Sequence, residues 1–173
     1  MKFWKLAIIL VVIIGISVGA YIGVSKSIAN KEAENLEQSG VGNFLKFDSE
    51  DINSISYTSS DGTFDFTSED GTTWNCTNSD MRINSNTIIY TIYAMSDLDT
   101  TKLIEKDCAD LSKYGLDNPI SVTCSDGVKE YNIQIGNLSP SGESYYIKSM
   151  DNNDVYTITA SEGSAIHVTK NDL

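Results

Sequence analysis

One arginine, one histidine, two prolines and three cysteines occur in 173 residues, and each scarcity removes a class of function. Lysine and arginine together number 12 against 24 acidic residues, for a net charge of −12. Lys2 and Lys5 precede the first apolar run, which leaves −14 for the remainder. The one arginine is Arg82, and no basic cluster follows residue 31. Nucleic-acid binding needs Lys and Arg to neutralise phosphates, so it is excluded as a partner class. The one histidine is His167. Any Ser-His-Asp or Cys-His relay would have to use it, and a three-histidine zinc site cannot be built from one chain. Cys76, Cys108 and Cys124 form no CxxC pair, which removes a zinc ribbon or thioredoxin-type centre. They read as buried thiols acting as small apolar residues, with oxidation of one pair left open for an extracytoplasmic domain. No GxxxxGK[ST] string occurs, and Gly127, Gly136 and Gly142 do not make a phosphate loop. No cofactor, no metal and no catalytic residue is expected.

What the chain does have is an apolar run. Leu6–Val24, LAIILVVIIGISVGAYIGV, holds 19 residues without a charge. As a helix it would reach about 28 Å, close to the thickness of a bilayer core. Lysines before it and acidic residues after it place the N-terminus in the cytoplasm and residues 25–173 outside the cell membrane. A cleavable signal peptide is the rival reading, with Val18-Gly19-Ala20 as small or apolar residues for a peptidase. The organisation expected is an anchor over 1–24, a juxtamembrane stalk over 25–42 and an extracytoplasmic α+β domain over 43–173.

Within that domain, Ile52–Tyr57, Thr63–Thr67 and Thr72–Thr77 have the period of two of half-buried strands. Asp61-Gly62 and Asp70-Gly71 stand between them as type I′ hairpin turns, which predicts an antiparallel meander. Trp74 and Cys76 share a face, as do Val122 and Cys124, and both faces are expected to look into the core. The period then changes. Ile88, Ile92 and Met95 fall on one face of a helix over Asn84–Asp97, with Ile89 and Tyr93 beside them and Asn84 or Ser85 as cap. Leu98–Lys106 reads as a connection with a short extended piece. A short helix over Cys108–Tyr114, capped by Asp107, leads to four further strands: Ile120–Ser125, Lys129–Ile135, Ser144–Ser149 and Val155–Thr159. Asn137–Gly142 is a loop between the second and third of these. Tyr145 and Tyr146 are adjacent in a strand and so face opposite sides. The tail Ser161–Leu173 holds one helical turn or a last edge strand.

Carboxylates are plentiful, and most sit in turns, where Asp serves the backbone. Asp48–Asp51 and Asp151–Asp154 offer clustered oxygens for weak calcium binding, but neither matches an EF-hand loop. LSKYGLDNP, residues 111–119, is the most distinctive string. Gly115 stands where a helix end needs a left-handed residue, and Leu116 where such an end makes an apolar contact back to its last turn. Pro119 forces Asn118 into the extended region. The string reads as a helix stop leading into a strand.

The order of several strings carries a resemblance. EDGTTW ends at Trp74, a helix follows, YGLDNP spans Tyr114–Pro119, and Ile135-Gly136 precedes a loop and a tyrosine-rich strand. Over about residues 45–160 the chain resembles the family called domain of unknown function 4340. The resemblance implies an N-terminal membrane segment and an exported α+β domain, often in two copies where this chain has one. It also implies an accessory link to ABC-type transport systems or gliding-motility complexes, and no catalytic residues. Trp74, Tyr114, Gly115, Leu116, Pro119 and Gly136 are its motif positions. The function expected is a non-enzymatic protein-interaction or transporter-accessory module, with an envelope or ABC-transporter protein as partner. The alternatives are a carboxylate-based cell-envelope enzyme, marked by paired carboxylates in a cleft, and a small-ligand binder, marked by a deep apolar pocket.

Overall fold

The computed structural model describes residues 41–173. The expected anchor Leu6–Val24 lies outside the described residues. Among those described, no helix is long and apolar enough to cross a membrane.

The fold is α+β. Strands β1 (Gly42–Lys46), β2 (Ser54–Ser59), β3 (Gly62–Thr67) and β4 (Asn75–Cys76) lead to helix α1 (Ser85–Ser96). Then come β5 (Asp97–Thr100), β6 (Lys102–Glu105), β7 (Ile120–Ser125) and β8 (Glu130–Leu138). The chain ends with β9 (Ser144–Lys148), β10 (Val155–Thr159) and helix α2 (Ala160–Ile166). Eight strands form one antiparallel sheet in the order β4-β3-β2-β7-β8-β9-β10-β6, while β1 and β5 pair separately.

Strand alternation divides the large sheet into two faces. One face carries Ile55, Tyr57, Phe64, Phe66, Val122, Cys124, Ile133 and Ile135, all buried in one cluster. Ile88, Ile92 and Met95 of α1 and Ile166 of α2 close the same cluster. The other face of β2, β3 and β7 bears Ser56, Thr58, Asp65, Ser121 and Thr123, joined in part by hydrogen bonds such as Ser56 Oγ to Asp65 Oδ1 at 2.6 Å. Asn84 caps α1 by accepting the Asn86 N–H at 3.1 Å. The tail is fastened to α1: Thr91 Oγ1 donates to the Ala165 carbonyl at 2.7 Å, and Thr87 Oγ1 to the Asp172 carbonyl at 3.0 Å. Its helix opens with a capping box between Thr159 and Glu162.

Several expectations are corrected. The stretch read as a connection holds β5 and β6, because β5 pairs with β1 at Gly42↔Thr100, too distant for a local pattern to register. The third strand shrinks from Thr72–Thr77 to Asn75–Cys76, because the Asp70 carboxylate takes the amides of Thr72 (2.8 Å) and Thr73 (2.7 Å). Type I′ turns need positive φ at both central residues. Asp107 is the one non-glycine residue with positive φ among those described, so neither Asp61 nor Asp70 makes such a turn. Ser60-Asp61 is the β2–β3 loop, with Gly62 paired opposite Ser59. The helix expected over Cys108–Tyr114 is a 3-10 turn over Leu111–Tyr114, capped by Asp110 rather than Asp107. Asp107 instead donates its amide to the Asp154 carboxylate at 2.7 Å, and Cys108 to the Asn153 carbonyl at 3.0 Å. Those residues are thereby tied to the β9–β10 turn. Strand β8 continues through Gly136 to Leu138, with a register shift between Ile135 and Leu138 where a loop was expected after Gly136.

Candidate interaction surface

Five of the six motif positions are engaged in the backbone framework and a small second core. Gly115 ends the 3-10 turn in the left-handed conformation (φ 68°, ψ 23°), and its N–H reaches the Leu111 and Ser112 carbonyls. Leu116 folds back into a buried cluster with Cys108 and Val155, against Leu111 and Tyr114. Gly136 leaves room for this turn: a side chain there would overlap the Tyr114 carbonyl. Tyr114 covers the outer face of the sheet, its ring 4.8 Å from that of Tyr146. Its hydroxyl donates to Glu105 Oε2 at 2.9 Å. That hydrogen bond, with burial and the Glu105 charge adding to it, pushes the phenol up to about 12. Pro119 stands at the mouth of β7. These residues hold one loop against one sheet.

Trp74, the sixth, differs. Its backbone N–H donates to Ser85 Oγ at 3.1 Å, which ties the residue before β4 to the start of α1. The side chain is buried, and its indole N–H has no hydrogen-bond partner among the described residues. Trp74 lines an open hollow of about 410 Å³ beside α1, with Glu50, Asp70, Ile89 and Tyr93 on its walls. Backbone hydrogen bonds from Thr73 and Thr72 hold the Asp70 carboxyl well below the usual carboxylate range.

A second hollow, of about 450 Å³, lies along α1 at Thr87 and Tyr90, and Ser164, His167 and Asp172 line it too. The three residue types of a hydrolytic relay thus meet in one place. The hydrogen bonds of Ser164 and Asp172 go elsewhere, although His167 is near enough to help lower the Asp172 pKa, after the Thr169 hydroxyl and amide. Ser164 Oγ donates to the Ala160 carbonyl at 2.7 Å, and Asp172 Oδ2 accepts from the Thr169 amide and hydroxyl at 2.9 and 2.6 Å. The His167 ring packs on Tyr145, 5.4 Å between centroids.

The acidic loops are also committed. Asp48 caps the 3-10 turn Ser49–Asp51 by accepting the Glu50 N–H at 3.0 Å. In the Asp151–Asp154 turn the Lys148 ammonium donates to the Ser149 and Asn152 carbonyls at 2.8 and 2.9 Å. An internal cation therefore holds oxygens that a calcium ion would seek.

Sequence reasoning placed Tyr93 beside the core, and the structure turns it outward. Tyr93 is 59 % and Tyr90 67 % exposed, and they share one side of α1 between the two hollows. Tyr145 and Tyr146 do face opposite sides of the sheet, Tyr145 against the main core and Tyr146 under Tyr114. The signal available in the sequence was SNTIIYTIYAMS: a helix without one charged residue in a chain with 36.

A family model described as Domain of unknown function (DUF4340) matches residues 74–173, the stretch from Trp74 through β4, α1 and all later elements. No curated protein and no solved structure matches the chain significantly.

Proposed function

The chain belongs to the family Domain of unknown function (DUF4340), and from that premise we propose that residues 41–173 are a non-enzymatic docking domain. Leu6–Val24 holds it at the outer side of a cell membrane, and its partner is an envelope or transporter protein. The observation that carries this reading is the outer face of α1, where Tyr90 and Tyr93 stand exposed on a helix with no charge. Interface centres are enriched in aromatics and depleted in charged residues, whereas an ordinary solvated helix face is neither. The hollows on either side give the tyrosines relief into which a partner's side chains fit. The test is an affinity pull-down of the full-length chain from gently solubilised membranes, against Tyr90→Ala/Tyr93→Ala. The wild type is expected to retain a transporter permease, ATPase or other envelope subunit that the double variant loses. Equal recovery by both would remove α1 as the docking face.

A second reading, a small-ligand binder, draws on the hollow at Trp74, whose buried indole N–H lacks an acceptor among the described residues. Heat of binding to a member of a ligand library, lost in Ile89→Trp, which fills the hollow, would favour it.

A further inference from the structure

We propose that the partner seated on α1 presents a basic segment, and that a lysine side chain of that segment enters the hollow beside Trp74. The proposal deepens the docking reading and rests on it. Its ground is charge complementarity. Residues 41–173 carry 21 acidic and 8 basic side chains, and no lysine or arginine lines either hollow along α1. The Trp74 hollow has two carboxylates on its walls, Glu50 and Asp70, among the apolar side chains of Ile52, Ile89 and Ile92 and the ring of Tyr93. The Tyr90 hollow has one carboxylate, Asp172, together with His167, and is the weaker seat for a cation. A third hollow, lined by β1 and β8, gives the contrast. Lys46 and Lys129 share it with Glu130 and Asp151, so neither sign of charge is favoured there.

The two carboxylates beside Trp74 differ in what already holds them. Asp70 accepts the Ser68 hydroxyl at 3.2 Å and the amides of Thr72 and Thr73, which keep it ionised. Glu50 is exposed, and its backbone N–H goes to Asp48. No hydrogen bond or ion pair engages the Glu50 side chain among the described residues. A fixed anion beside a free one leaves a seat for an added cation. Lysine suits the whole lining, because its four-carbon stem buries on apolar surface while its ammonium stays at a polar edge. Ile89 and Ile92 offer that surface, the carboxylates that edge, and Tyr93 the attraction of an aromatic ring for a cation. An acidic segment would be repelled. An apolar one would strip water from two carboxylates and return no counter-charge. The acidic field of the domain also steers a basic segment toward this face, and salt weakens that steering.

The test makes charge the variable in recovery of the full-length chain from gently solubilised membranes. Glu50→Lys is expected to retain about fivefold less partner than the wild type. Glu143→Lys, the same change of charge at an exposed site outside both hollows, is expected to keep most of it. Raising the salt from about 50 to about 300 mM should lower wild-type retention severalfold. A water-soluble carbodiimide condenses a carboxylate with a lysine amine that touches it, giving an amide. In the wild type it is expected to join Glu50 or Asp70 to a lysine of the partner, identified by mass spectrometry of the linked peptides. If Tyr90→Ala/Tyr93→Ala loses the partner while Glu50→Lys keeps it, the basic segment is overturned and the docking reading stands. Links that map only to carboxylates outside the hollow overturn it in the same way. A linked product of twice the chain mass would seat a second copy there and overturn a separate basic partner. If the double tyrosine variant keeps everything the wild type retains, both readings fall.

Discussion

The carbonyl of Tyr114 lies where a side chain on Gly136 would be, and Leu116 Cγ is 3.0 Å from the same point. The two most distinctive strings of the sequence, YGLDNP and the Ile135-Gly136 step, are therefore halves of one packing contact. Gly136→Ala should displace backbone rather than a flexible side chain and cost about 2–3 kcal/mol, as overpacking does. Gly142→Ala, at φ 77° in open space, meets only the strain of the left-handed region, about 1 kcal/mol. Urea unfolding of the two variants side by side measures the difference, and equal losses would refute the contact.

Asp70, Asp110 and Asp126 each cap a turn, and each has its pKa lowered. For Asp70 the cause is the amides of Thr73 and Thr72, for Asp126 those of Lys129 and Val128, and for Asp110 first the Ser112 hydroxyl. A carboxyl whose folded pKa is depressed stabilises the fold above its unfolded pKa, near 3.9, and that stabilisation fades as pH falls through the folded value. The melting temperature should accordingly fall below about pH 4 and not between pH 5 and 7. The acid limb should be shallower in Asp70→Asn and Asp126→Asn than in the wild type.

Calcium at millimolar concentration is expected to leave the melting temperature unchanged, since the Lys148 ammonium already binds the Ser149 and Asn152 carbonyls. Lys148 is only 6 % exposed, and burial pushes its ammonium pKa down while Asp151 pushes it up. Lys148→Met leaves two carbonyls without their donor. It should cost about 1–3 kcal/mol and speed hydrogen exchange in residues 149–154. A rise in melting temperature with calcium in the wild type would contradict the assignment.

All three cysteines are free thiols. Cys76 is half-buried, with Sγ 3.4 Å from Asn78 Oδ1, while Cys108 and Cys124 are buried. Burial also pushes the Cys124 thiol up. Maleimide labelling of the native chain should modify one site, Cys76, and reach three sites only in denaturant. Two fast sites would mean that the Leu116 cluster opens readily.

The sequence was most legible where period and burial coincide. Ile88, Ile92 and Met95 identified α1, and Val122 with Cys124 identified the strand they occupy. Gly115 and Leu116 announced the end of a turn because their backbone role is local. Legibility failed where a partner is remote or a side chain intercepts an amide. Nothing near Thr100 reveals Gly42, and EDGTTW looks like strand until the Asp70 carboxylate is seen to hold two of its amides. The candidate surface was missed for a related reason. Tyr93 follows Ile92 by one residue, about 100° around the helix, and only the surrounding elements decide whether that edge is covered. The missing charges of α1 could have been read, but a helix without charges is also what a buried helix looks like.

The strand order has a practical corollary. Strand β2 sits between β3 and β7, upstream of Trp74, yet it is hydrogen-bonded along the length of β7 from Ser121 to Ser125. A protein cut back to the segment that the family model matches would bare that whole margin of β7, and Val122 and Cys124 with it. Such a fragment would add to any strand it met, another fragment included, and precipitate. Expression boundaries drawn at Gly42 and Leu173 keep the sheet's own strand in that place.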